Sequence, residues 1–161
     1  MKINQPELKR AQLETIYWWV DCEHRYHDLF KQDKEIDIKY QNTFYEFTNK
    51  YSVRRTLSGK GQGVTEELLS SLHEFKTECL KGNEEIIDTT DTTLAQAGFN
   101  SLRSLLSKYA TLINPLVYTM YDTRAVANLK QLDGKGVHSK FRSYTDFYTE
   151  FTKYELSLIH I

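Results

Sequence analysis

The chain has 161 residues and a mass of 19.0 kDa, a size that predicts one domain spanning residues 1–161. Its 7 Gly and 2 Pro are too few for a disordered or collagen-like chain, and 40% hydrophobic residues are typical of a globular protein. With 21 Lys and Arg against 22 Asp and Glu, the net charge of -1 excludes a bulk polycation that coats nucleic acid, although it allows a local basic face.

The first helix is predicted from Glu7 to Phe30, because apolar residues recur there at three- and four-residue steps. A second is predicted from Ile36 to Tyr51, and the glycine-containing stretch from Ser52 to Gly63 predicts a loop. The residues expected to face the core from the first helix include Ile16, Trp19, Val20, Tyr26 and Phe30.

A third helix is predicted from Glu66 to Lys81, with Thr65 as its N-cap and Gly82 as its C-terminal stop. A short helix rich in Thr and Asp is expected within residues 84–98. The residues of the third helix expected to face inward are Leu68, Leu69, Leu72, Phe75, Cys79 and Leu80.

The C-terminal third of the chain predicts three more helices. One runs from Ser101 to Ile113 and ends at Asn114-Pro115, since the residue before a proline is disfavoured in a helix. After an extended stretch, Asp122 is the expected N-cap of a helix that ends near Gly134, and Ser143 is the expected cap of the last one. The sequence therefore predicts an all-α fold, a single compact domain of about seven helices.

Residues 1–20 carry scattered charges and no apolar core, so we expect no signal peptide, and no apolar run is long enough to span a membrane. The two cysteines, Cys22 and Cys79, are too sparse for a disulfide framework and fit a reducing compartment. These features predict a cytoplasmic protein that has no membrane partner.

Two short motifs are candidate ligand-binding sites. The segment Gly59 to Gly63 lacks the spacing and the Ser or Thr of a nucleotide-binding phosphate loop, but Arg54, Arg55 and Lys60 around it form a candidate phosphate-binding cluster. A solvated surface loop is the alternative. His24 and His27 share a helix face, yet a stable metal site needs three or four ligands, so we expect no metal.

The most specific pattern lies between Phe99 and Leu129. It contains Ser107-Lys108-Tyr109-Ala110, a turn, and then Tyr121-Asp122-Thr123 at the start of the next helix. This segment resembles helix-hairpin-helix DNA glycosylases, in which one helix carries a catalytic Lys and an Asp opens the following helix. It is also similar to uncharacterised bacterial proteins that share a Ser-Lys-Tyr run, an Asn-Pro turn and a Tyr-Asp-Ser segment.

The resemblance implies a helix-hairpin-helix fold and an enzyme that excises a damaged or modified DNA base. Asp122 would stabilise the positive charge that develops on the sugar or activate a nucleophile, and Lys108 would attack the sugar to form a Schiff base. Separately from the resemblance, the basic residues of the sequence predict that, if nucleic acid binds, the contacts come from Arg54, Arg55, Lys60 and Arg124 on one face. The iron–sulfur cluster of some members is excluded because two cysteines cannot supply four thiolates, and no other cofactor is expected.

Two other readings of the same residues stay open. The chain could be a non-catalytic helical module that binds nucleic acid through the same basic residues, or one that binds a protein partner. In both, Asp122 is only a helix cap and Lys108 only an exposed helix residue. The aromatic residues considered for stacking on an extruded base are Trp18, Trp19, Tyr118, Tyr121 and Phe141.

Overall fold

The computed structural model describes residues 9, 13, 16–32, 36–53, 57, 66–132 and 141–159. Within these ranges the chain forms seven helices and no β-strand, so the all-α prediction is confirmed. In the same ranges, no helix combines the length and the apolar character needed to cross a bilayer. The predicted cap Thr65 and most of the predicted loop after Val53 lie outside the described residues.

The first helix, α1, consists of a π-helical turn, Trp19–Glu23, followed by the α-helical segment His24–Phe30. The remaining helices are α2 (Ile38–Lys50), α3 (Glu66–Lys81), α4 (Ile86–Gln96), α5 (Arg103–Ile113), α6 (Thr123–Leu132) and α7 (Tyr144–Ile159).

Helix α5 lies at the centre of the fold, packed against α1, α3 and α4, while α7 packs against α4 and α6. Every residue from Leu105 to Ala110 is buried, because a central helix is covered on most of its circumference. The ring of Tyr109 contacts those of Phe30, Phe44 and Phe75, with ring centroids 5.0 to 5.8 Å apart. Aromatic residues from three other helices therefore anchor α5.

Two helices end at glycines with a left-handed backbone conformation, and the sequence predicted one of these ends. At the end of α3, Gly82 has a φ of +78°, its N–H donates to the carbonyl of Cys79, and the N–H of Asn83 donates to that of Glu78. Glycine adopts this left-handed conformation without the steric cost of a side chain, so the predicted stop at Gly82 is confirmed. The end of α4 at Gly98, with a φ of +94°, repeats the arrangement.

The core-facing side of the first helix was predicted correctly at Tyr26 and Phe30 and incorrectly at Ile16, Trp19 and Val20. Ile16, Trp19 and Val20 are 59%, 45% and 67% exposed, whereas Cys22, Tyr26 and Phe30 are buried. The π-helical turn holds more residues per turn than an α-helix, which rotates the preceding residues away from the core and leaves the four-residue steps after Cys22 facing it. In α3, Leu80 is likewise 40% exposed rather than inward, since Cys79 occupies the core-facing position.

Candidate active site

Helix α5 carries polar side chains on one of its faces. Arg103, Ser104, Ser107 and Lys108 follow the spacing that places residues on one side of a helix. The face is directed at the segment that leads into α6, because the Ser107 Oγ accepts the N–H of Tyr121 at 2.9 Å. A charged lysine and a serine thus occupy the interior of the fold, where polar groups cost stability unless they have partners.

Lys108 and Asp122 meet at this face. The Lys108 Nζ lies 3.9 Å from the Asp122 Oδ2 and donates a hydrogen bond to the Ser104 Oγ at 3.1 Å. The lysine side chain is 10% exposed and the aspartate side chain 38% exposed. The amine is therefore mostly removed from water, while the carboxylate stands at the boundary with solvent.

Burial lowers the pKa of Lys108, because the charged ammonium loses its hydration, and the negative charge of Asp122 opposes this shift only in part. A lysine in this setting has a larger neutral fraction near physiological pH than one on the surface. The interpretation of Lys108 as an ordinary exposed helix residue is therefore wrong: the residue is buried.

Asp122 is the N-cap of α6, as its sequence position predicts. Its Oδ1 accepts the N–H of Arg124 at 2.9 Å and that of Ala125 at 2.8 Å, which satisfies two of the unpaired donors at the helix start. The two carboxylate oxygens thus have separate tasks: Oδ1 fixes the group to the helix, and Oδ2 faces the lysine amine.

A second group of charges surrounds Arg103. Its guanidinium forms ion pairs with Asp88, at 3.3 Å, and with Asp91, at 3.6 Å, and lies 5.7 Å from the centre of the Tyr121 ring. Asp91 also accepts the N–H of Leu102 at 2.6 Å, at the start of α5. This network fixes the helix that carries Lys108 and the side chain next to Asp122.

Sequence reasoning missed Ser104, Ser107 and Arg103. A signal was present, since Ser104 lies four residues before Lys108 and Arg103 four before Ser107, positions that share a helix face. It was not decisive, because the same spacing fits a solvent-exposed stripe when the neighbouring elements are unknown.

Of the residues predicted to contact nucleic acid, the structure describes one. Arg124 is exposed and lies in the first turn of α6, two residues after Asp122. Arg54, Arg55 and Lys60 lie outside the described residues, so whether they share a face with Arg124 stays a prediction.

The aromatic candidates divide by exposure. Tyr118 is buried and donates its hydroxyl to the carbonyl of Asn83 at 2.8 Å. Trp18 and Trp19, on the first helix, are partly exposed. Tyr121 and Phe141 are half-buried and pack against Phe147. Tyr121 directly precedes Asp122 in the chain and is thus the aromatic candidate that lies next to the Lys108–Asp122 pair.

Comparison with known proteins adds no assignment. No protein-family model, no curated protein and no solved structure matches the chain. The site is therefore interpreted from its own chemistry.

The histidines and cysteines have structural surroundings. The Nδ1 atoms of His24 and His27 are hydrogen-bonded to the carbonyls of Trp19, at 2.8 Å, and of Leu112, at 2.7 Å. Among the described residues, no three His, Cys, Asp or Glu side chains gather into a metal-binding group. Cys22 and Cys79 are buried and unbonded to each other, and burial raises the pKa of both thiols, which disfavours the thiolate that a nucleophile needs.

Three backbone N–H groups in the turn between α4 and α5 have partners within the protein. The N–H groups of Gly98 and Phe99 donate to carbonyls of α4, and that of Leu102 donates to Asp91. These three amides are bonded within the protein, so a phosphate at this turn would need other donors.

Proposed function

We propose that this chain is a DNA base-excision glycosylase-like enzyme in which Asp122 and Lys108 act on the sugar of a damaged or modified base. The observation that carries the proposal is the buried lysine amine, 3.9 Å from a carboxylate that stands at the protein surface. In this proposal α5 and the start of α6 correspond to the catalytic part of a helix-hairpin-helix glycosylase, which residues 99–129 resemble. That α4 and the turn through Gly98 complete the hairpin is part of the proposal and lies outside the resemblance.

Asp122 supplies fixed negative charge. Breaking a glycosidic bond places positive charge on the sugar, and a preorganised carboxylate stabilises that charge without reorganising during the reaction. Because the Oδ1 of Asp122 is held by two backbone N–H groups, the orientation of its Oδ2 is set by the start of α6. The Asp122 side chain is 38% exposed, so in this proposal the substrate approaches the carboxylate from the solvent side.

Lys108 supplies the nucleophile. Its lowered pKa increases the fraction of neutral amine, and only that form has a lone pair with which to attack carbon. Attack on the anomeric carbon breaks the glycosidic bond, and the base leaves with the bonding electrons and takes up a proton from water. The new amine then passes a proton to the ring oxygen as the sugar opens, which gives a Schiff base. Water directed by Asp122 is the alternative nucleophile.

A non-catalytic binding module is the second candidate. It is favoured by the completeness of the site without a substrate, since Asp122 already caps α6 and pairs with Lys108. In this reading the exposed Arg124 contacts nucleic acid or protein, and the pair serves only to join α5 to α6.

One substitution separates the two candidates. Asp122→Asn keeps a side-chain oxygen that caps α6, so we expect a loss of at most about 1 kcal/mol in stability. It removes the charge, so base release should fall below detection. The assay is single-turnover release from duplex oligonucleotides that each carry one deaminated, oxidised or alkylated base. Asp146→Asn, at an exposed aspartate in the first turn of α7, is the matched control and should retain activity.

Borohydride trapping distinguishes the nucleophile. A covalent DNA adduct that forms with the wild type and is lost in Lys108→Ala identifies the lysine, whereas base release without an adduct identifies water. Absence of base release from every substrate, with equal DNA affinity of the wild type and Asp122→Asn, would refute the enzymatic proposal in favour of the binding module.

A further inference from the structure

The segment between α5 and α6 has no regular structure, and side-chain hydroxyls hold it in place. The Tyr144 hydroxyl accepts the N–H of Thr119 at 3.0 Å and donates to the carbonyl of the same residue at 3.1 Å. Tyr118 donates to the carbonyl of Asn83 at 2.8 Å. The position of the segment is thus set by contacts with other elements and not by a helix or a strand of its own.

Ser107 makes the contact of this kind that lies next to Asp122. Its Oγ accepts the N–H of Tyr121 at 2.9 Å, and its own proton is within reach of the carbonyl of Ser104 at 3.2 Å. The Ser107 side chain is fully buried, so water cannot readily replace the bond. Arg103 lies over the ring of Tyr121 but does not hold its backbone.

Because Ser107 directly precedes Lys108, a single turn of α5 carries both the amine and the hydroxyl that fixes the backbone before Asp122. We propose that Ser107 is a positioning residue that sets the distance between the Lys108 amine and the Asp122 carboxylate. The inference rests on the proposed function for its catalytic meaning, but the geometry it describes can be measured without any substrate.

Removing the hydroxyl should separate the pair. Ser107→Ala leaves the buried N–H of Tyr121 without its acceptor. The segment should then shift toward solvent, where this N–H can donate a hydrogen bond to water. Asp122 moves with it, and its attraction for the Lys108 ammonium falls as the distance grows. A side chain that only filled space in the core would not change that distance.

The test is an NMR titration of the full chain labelled with ¹³C at the lysine ε-carbon, with the Lys108 signal assigned from Lys108→Arg. Asp122→Asn should lower the pKa of Lys108, since Asp122 raises it. Ser107→Ala should give most of the same fall, and it should cause no further change when combined with Asp122→Asn. Ser107→Cys, which conserves size with a weaker acceptor, should give a smaller fall in the same direction.

Thr111→Val is the matched control. It removes a hydroxyl from the same helix that bonds only to the helix carbonyl of Ser107, at 2.8 Å, and it should leave the titration unchanged. A pKa that rises in Ser107→Ala and Ser107→Cys, or that stays at the wild-type value, overturns the inference; so does an equal shift in the presence and absence of Asp122. If Ser107→Ala does not fold, Ser107→Cys decides alone.

The titration and the base-release assay fail independently. The expected pattern of pKa values without base release retains Ser107 as the positioning residue of a structural pair and refutes only the enzymatic proposal. Base release together with an unchanged pKa of Lys108 in Ser107→Ala supports the enzymatic proposal and refutes the positioning role of Ser107.

Discussion

Asp88 joins the start of α7 to α4, and its removal should cost the fold a measurable part of its stability. Its Oδ1 accepts the N–H of Tyr144 at 2.7 Å, and its Oδ2 accepts the N–H and the hydroxyl of Thr145, both at 2.9 Å. The same carboxylate pairs with Arg103 at 3.3 Å. Asp88→Ala removes all four contacts together.

The magnitude follows from these contacts. A helix cap contributes about 1–2 kcal/mol, and Ser143 still caps α7 through the N–H of Asp146, at 2.9 Å. The loss of a charged acceptor from Arg103, whose side chain is 20% exposed, adds about 1 kcal/mol, since Asp91 remains as a partner. We expect Asp88→Ala to lower the free energy of unfolding by about 3 kcal/mol, and Asp88→Asn by about half as much, because the amide keeps one acceptor oxygen.

Urea unfolding followed by circular dichroism measures this difference, with an unchanged dependence on denaturant as the sign of a two-state transition. Asp146→Ala is the control. It removes an exposed aspartate from the first turn of α7, the turn to which Asp88 binds, and should lower the free energy of unfolding by about 0.5 kcal/mol, through the helix dipole alone. A loss below about 1 kcal/mol for Asp88→Ala, or one equal to that of the control, would show that α7 is held by its apolar face and not by Asp88.

Two further predictions concern other positions. Lys108→Met should raise the free energy of unfolding at pH 7 by on the order of 1 kcal/mol, since it removes a buried charge and adds apolar contact. Because the pKa of Lys108 is lowered in the folded chain, the wild type gains stability as the pH rises toward the ordinary lysine value of 10.5, so the difference should narrow in urea unfolding curves collected across that range. Ser52 has a φ of +54°. Ser52→Gly should raise the free energy of unfolding by about 1 kcal/mol, because glycine adopts this conformation without steric cost. An unchanged or lowered unfolding midpoint for Ser52→Gly would contradict the strain.

The polar face of α5 is where local sequence rules and the fold disagree. A buried lysine is a polar group in a core that an apolar residue would fill more stably, whereas the buried Ser107 is satisfied by the N–H of Tyr121. Natural sequences keep such conflicts mainly at functional sites, where a group with altered reactivity is worth its cost in stability. If Lys108→Met stabilises the chain and Asp122→Asn abolishes base release, the two results together identify the pair as functional and not structural.

The sequence by itself determined the helices within the described residues, the end of α3 at Gly82 and the cap of α6 at Asp122. Apolar periodicity is a local property, and so are a glycine after a helix and an aspartate before one, because each acts through backbone geometry within a few residues. For this reason Gly82 and Asp122 were placed correctly with no knowledge of the fold. The side of α5 that faces the core, which includes Tyr109, was also predicted from apolar spacing alone.

Tertiary structure decided which face of the first helix is buried and whether Lys108 is. The π-helical turn rotates Trp19 and Val20 out of the core, and the apolar spacing of the sequence did not predict that turn. The burial of Lys108 depends on where the segment after α5 lies, which is fixed by Tyr144 from a distant helix and by Ser107 from α5 itself. A pKa depends on the solvent and charges around the group in three dimensions, so the lowered pKa of Lys108 could be inferred only from the tertiary structure.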